Sequence, residues 1–220
     1  MVRDEAARLV ERLAGSVPVE VADPGAKSSD YGAEQRWRVE SLARLRAALD
    51  TEELVAEAAA QQTESAAAES VWLGASLADL SAVTGRTRQA ARKRWPELGS
   101  IHRRRKWLGD HVEDITYMAE LLASRAEELA PGWGRGTFLK HVRLLREGLD
   151  RCAEDFAEDA TPSGDPAGRW RALDELVNTT MRRIIETAGG PTTPEAGFAL
   201  HGATGVLGYY DHATAADRDS

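Results

Sequence analysis

Between Arg86 and Lys106 nine Lys and Arg residues stand against a single acid, Glu97. The remainder of the 220-residue chain holds 19 basic and 35 acidic residues, so a +8 island lies in a protein whose net charge is −8. The chemistry open to such a segment is polyanion binding, because each cation set against a phosphate can release a condensed counterion. A charge run by itself is ordinarily a solvated face. This one is distinguished by where it begins.

It begins inside the run Gly74-Ala75-Ser76-Leu77-Ala78-Asp79-Leu80-Ser81-Ala82-Val83-Thr84-Gly85-Arg86-Thr87-Arg88-Gln89-Ala90-Ala91-Arg92-Lys93-Arg94-Trp95-Pro96. Ser76 is placed to cap a short helix whose apolar face is Leu77, Leu80 and Val83. Gly85 can take the left-handed backbone that stops it. Thr87 can cap a second helix, which ends near Trp95 because Pro96 disfavours helical geometry in its predecessor. Ala90 and Ala91 let two helices cross closely, with Trp95 one turn beyond Ala91 on the inner face. Arg88, Gln89, Arg92 and Lys93 are left outside.

The segment resembles the helix-turn-helix of many actinobacterial DNA-binding proteins, over about residues 74–96. Thr84 and Arg86 depart from that pattern, standing beside the turn glycine where apolar residues are commoner. The resemblance implies double-stranded DNA as the partner. Gln pairs bidentately with adenine and Arg with guanine in the major groove. Arg88, Gln89, Arg92 and Lys93 are therefore expected to read bases and nearby phosphates, with Lys93 the better placed of the four for phosphate. Arg86, Thr87, Arg94 and the cluster Arg103, Arg104, Arg105 and Lys106 are expected to hold the phosphate backbone. The function expected is sequence-selective DNA binding by a transcriptional regulator acting as a homodimer. An architectural, nucleoid-associated protein or a helical interaction adaptor are the alternatives.

Other chemistry is sparse. The five histidines lack metal-ligand spacing, and Cys152 has no CxxC partner. His141 and Cys152 share a helical face but read as structural. No phosphate loop, dinucleotide fingerprint or nucleophile elbow occurs. Neither enzymatic activity nor a cofactor or metal is expected. A lone cysteine, no signal core and no apolar run of membrane length lead to a cytoplasmic expectation.

The elements that must position the basic segment read as all-α. Ala, Leu, Glu and Arg dominate, and extended β-branched runs are nearly absent. Residues 1–32 read as a helix over Arg3–Leu13 and a linker from 16 to 32, with a possible short strand at Val17, Val19 and Val21. Residues 33–99 read as the DNA-binding domain. Its first helix, about Ala33–Leu49, has Trp37, Leu42, Leu45 and Leu49 as expected core. Asp50 then starts a supporting helix to Leu73, with Ala66, Ala67, Ala68 and Val71 facing the helix pair. Residues 100–190 read as one long helix, 101–129, and a bundle. Ile101, Leu108, Ile115, Leu122 and Leu129 recur every seven residues, interleaved with Arg105, Val112, Ala119 and Ala126. That pattern fits a seam between two subunits or a core helix within one; the dimer seam is the reading taken. Thr137–Phe156 and a helix started by Asp165-Pro166 and stopped by Gly189-Gly190-Pro191 complete the bundle. Residues 191–220 are Gly-rich and read as a closely packed helix or a partly ordered tail.

Overall fold

A computed structural model describes residues 2–14, 29–157 and 165–215. Every regular element among them is helical. In chain order these are α1 (Val2–Ala14), α2 (Ser29–Trp72), α3 (Leu77–Thr84), α4 (Arg88–Arg94), α5 (Leu98–Asp110), α6 (Val112–Ser124) and α7 (Ala126–Leu129). There follow α8 (Arg135–Asp155), α9 (Gly168–Glu175), a π-helical turn (Leu176–Met181), α10 (Arg182–Thr187) and α11 (Pro194–Thr214). The chain divides into two compact units, residues 1–65 and 66–220.

The first unit holds α1 and most of α2. The expected Val17–Val21 strand lies outside the described residues, and residues 29–32 belong to the first turn of α2 rather than to a linker. No break occurs at Asp50. Its carboxylate accepts from Arg46 Nε one turn earlier at 2.9 Å, a side-chain pair that supports a helix interior. Without Gly or Pro nearby, nothing stops the helix. The buried stripe is Ala43, Ala47 and Thr51, spaced four apart, with the Thr51 hydroxyl donating to the Ala47 carbonyl at 2.7 Å. Leu42, Leu45 and Leu49 fall on the opposite face by the 100° advance per residue, and they and Trp37 are exposed rather than core.

The second unit has one continuous core, running from Ala67 and Val71 in the last turns of α2 through α11. Residues 66–99 and 100–190 share it. The expected long helix is interrupted at His111 and at Arg125, giving α5, α6 and α7. The seam is nevertheless buried: Leu108, Ile115 and Leu129 are fully enclosed within one chain, and Leu122 is nearly so. Its partners are α8, α9 and α11 of the same subunit. The heptad pattern therefore reports a core, and this seam is not available to a second copy.

Residues 194–214 take the first of the two readings open for the Gly-rich segment. Thr193 caps α11, accepting from Ala196 N at 3.2 Å, and Pro194 opens it. Ala196, Ala199, Ala203, Leu207 and Tyr210 make its buried row. The close approach to α6 is visible at Gly202, where an added Cβ would stand 2.6 Å from Met118 Sδ. Asp165-Pro166 acts two residues ahead of the helix it announces, with Asp165 Oδ1 accepting from Gly168 N at 3.0 Å.

Candidate nucleic-acid interface

Local chemistry builds the α3–α4 pair as its residues suggest. Ser76 Oγ accepts from Ala78 N and Asp79 N, while the Ser76 amide and hydroxyl both donate to Asp79 Oδ2 at 2.7 Å. This reciprocal cap holds the Asp79 carboxyl below its ordinary value, the Ser76 hydroxyl contributing most and its amide next. Gly85 ends α3 with φ 63°, a backbone that disfavours any residue with a Cβ. Thr87 then caps α4, accepting from Ala90 N at 3.2 Å.

Ala91 and Trp95 are buried, joining Leu80 in the core, and Leu77 packs against that cluster. Val83 does not. At 100° per residue Thr84 falls between Leu77 and Leu80 on the inner face, and Val83 falls outside it. Val83 is 86% exposed, which corrects its place in the expected apolar face. Ser81 and Thr84 satisfy their hydroxyls on the carbonyls of Leu77 and Leu80 instead.

With Ala91 facing in, α4 turns Arg88, Gln89, Arg92 and Lys93 to solvent. None of the four makes a hydrogen bond or ion pair among the described residues. Arg86 and Arg94 flank them, also exposed, with the Arg94 guanidinium 5.1 Å from the centre of the Trp95 ring. The structure thus gathers Arg86, Thr87, Arg88, Gln89, Arg92, Lys93 and Arg94 in one short turn-and-helix segment.

The second half of the charge run is disposed differently. Arg103 Nε donates to the Thr214 carbonyl at 3.2 Å. Arg104 pairs with Asp174 at 2.9 Å. Arg105 Nε donates to the Trp72 carbonyl at 3.0 Å, and its guanidinium lies 3.4 Å from the centre of the Trp170 ring. Burial, with nearby Arg169 adding repulsion, pushes the Arg105 guanidinium below its usual value. Asp174 accepts a second bond, from Tyr210 Oη at 2.6 Å, and burial followed by that bond raises the Tyr210 phenol. These three arginines tie α5 to α2, α9 and α11. Lys106 alone of the cluster is exposed and unbonded.

Cys152 is buried, and burial raises its thiol to about 11, so it is a packed thiol and not a thiolate at neutral pH. No group of His, Cys, Asp and Glu among the described residues is arranged to hold a metal. No helix among them is long and apolar enough to cross a membrane.

No protein-family model, curated protein or solved structure matches the chain.

One constellation escaped sequence reasoning: Trp107, His111 and Tyr209, whose rings meet where α5, α6 and α11 converge. The spacing of four between Trp107 and His111 was a signal for ring contact on one helix face. The partner, Tyr209, lies on α11, and although the Tyr209-Tyr210 pair favours docking of that segment, no local pattern joins it to Trp107 or His111.

Proposed function

We propose that this chain is a sequence-selective double-stranded DNA-binding protein, a transcriptional regulator in which α3 and α4 act as a helix-turn-helix. The observation that carries the reading is the outer face of α4, where Arg88, Gln89, Arg92 and Lys93 are exposed and unbonded above a buried Ala91. A helix held by its small inner residues against the core, with unpaired bidentate donors outward, suits insertion into the major groove. Arg86, Thr87, Arg94 and Lys106 supply phosphate contacts. The acidic remainder of the chain repels DNA from other faces.

Action as a homodimer belongs to the same proposal, through a surface other than the α5–α7 seam. The apolar side chains left exposed on α2, Trp37, Leu42, Leu45 and Leu49, are the surface a second copy would cover.

Selection of genomic fragments with the purified protein tests both parts. An enriched motif with two half-sites about one helical turn apart supports base reading by a dimer. Enrichment of a single half-site, with a monomer in sedimentation, removes the dimer and keeps the reading. Binding without any enriched motif replaces base reading with an architectural role, and no binding at moderate salt removes the proposal.

A further inference from the structure

The join between α5 and α6 is built around His111. At φ −132° and ψ 20° it leaves the helical backbone, and its N–H bonds Leu108 O at 3.2 Å instead of Trp107 O. The Trp107 carbonyl so released is met by His111 Nδ1 at 2.7 Å. A carbonyl can only accept, so Nδ1 carries a proton. The bond lays the imidazole along the Trp107 indole, with ring centres 4.5 Å apart and planes 13° from parallel. From α11, Tyr209 meets both rings edge-on, at 5.8 Å and 5.2 Å.

Beside this stack lies a cavity of about 270 Å³. Trp107, His111 and Tyr209 line it together with Tyr117 and Asp114 of α6. Tyr117 and Tyr209 are 56% and 53% exposed, so the cavity opens to solvent past two phenol rings. The lining among the described residues contains one carboxylate, Asp114, and no Lys or Arg. Gly205 forms part of the wall, and a Cβ there would meet nothing within 4 Å, so the space is left unfilled by the chain itself.

Exposed aromatic rings with one carboxylate and no competing Lys or Arg make an environment selective for charge as well as shape. Ring quadrupoles attract a diffuse cation, and a carboxylate at the same opening sets the sign of the preferred ligand. A neutral apolar molecule would gain only burial. An anion would meet Asp114 and find no Lys or Arg to offset it. We infer that this cavity binds a small organic cation of the alkylammonium class, held against Tyr117 and Tyr209 beside the Trp107–His111 stack, with Asp114 as its counter-charge. The site lies apart from α4, and the inference does not depend on DNA binding.

Choline and its uncharged carbon isostere, 3,3-dimethylbutan-1-ol, are the probes, titrated calorimetrically into the full chain and two variants. Choline saturates the protein and binds several-fold tighter than the alcohol. Asp114→Asn weakens choline roughly twofold to fivefold, as expected of a partly exposed charge pair, and leaves the alcohol unchanged. Gly205→Leu, which fills open space on a helix without displacing core, abolishes saturation; unfolding curves for both variants confirm that the fold is kept. Equal affinity for the two probes overturns the cation assignment. Absence of saturation by either probe, or choline binding undiminished by Gly205→Leu, overturns the site.

Discussion

Arg88, Arg92 and Lys93 on α4 and Arg103, Arg104 and Arg105 on α5 belong to one charge run, yet the chain uses them in opposite ways. The first three extend from an exposed face and bond to nothing among the described residues. The second three are consumed by the Thr214 and Trp72 carbonyls, the Asp174 carboxylate and the Trp170 ring. Residue type and local charge density do not separate the two sets. What separates them is the supply of acceptors. α5 is packed against α9 and α11, which bring Asp174 and Thr214 within reach. The inner face of α4 is filled by Ala91, and its outer face meets no acceptor from the chain. Cations left without an internal partner are those available to an external one.

The deepest way to break this comparison is to charge the inward-facing side of α6, the helix that follows α5. Ile115 and Leu122 are enclosed in the core, so Ile115→Glu with Leu122→Glu buries two uncompensated carboxylates. Each costs about 3–5 kcal/mol, enough together to exhaust the stability of an ordinary domain. Circular dichroism then shows loss of helix in the 66–220 unit. A folded, soluble protein of halved mass in sedimentation would restore the dimer seam and overturn the packing described above.

Arg104→Met tests whether the α5 cations are structural. The substitution keeps an apolar stem near the Trp72 ring, 5.6 Å from the guanidinium, and leaves Asp174 with Tyr210 as its remaining bonded partner. A largely buried carboxylate losing its cation destabilises the fold by about 2–3 kcal/mol in denaturant titration, somewhat less than for a fully enclosed pair. Arg104→Met with Asp174→Asn recovers part of that loss. If stability is unchanged while DNA affinity falls, the α5 cluster belongs with α4 and the contrast between them disappears.

The local half of this arrangement was legible in the sequence and the distant half was not. Ser76, Gly85 and Thr87 act within three residues of where they stand, so their caps and turn could be read directly. The partners of Arg103, Arg104 and Arg105 lie 111, 70 and 33 residues away, and no local pattern encodes them. The heptad from Ile101 to Leu129 identified buried positions correctly but concealed the break at His111. Burial every seventh residue persists when both flanking helices face one core, and the ring of His111 satisfies the carbonyl that the break exposes. In α2 the leucines misled because a stripe of Ala43, Ala47 and Thr51 sits on the buried side instead.

Arg88→Ala sharpens the comparison from the outward side. The side chain is exposed and unpaired, so stability stays within about 0.5 kcal/mol of the parent. Affinity for the selected DNA falls by about 1–3 kcal/mol, with relaxed choice at one base position. Fluorescence anisotropy on the selected site and on scrambled duplex separates the cases. Equal losses on both duplexes would assign Arg88 to phosphates and leave base reading to Gln89, Arg92 and Lys93.

The smallest effect concerns how α3 is held in place beneath α4. Ser76→Ala removes the hydroxyl that accepts from Ala78 N and Asp79 N and donates to Asp79, costing about 1 kcal/mol at neutral pH. Its pH dependence has a defined sign. The Asp79 carboxyl is held below its ordinary value of 3.8 chiefly by the Ser76 hydroxyl, so the bonded carboxylate favours the folded state above that pH. The contribution is lost as the pH falls through the lower folded value, where the carboxylate takes up a proton. Parent and Ser76→Ala therefore differ most near neutrality, and the gap narrows as the pH falls below 3.8, by the part that the Asp79 carboxylate contributes. Urea titrations at neutral and acid pH measure the gap. A gap that stays constant into acid would assign the cap to the hydroxyl's bonds with the backbone amides alone, and Asp79 would then contribute nothing to holding α3 under the exposed helix.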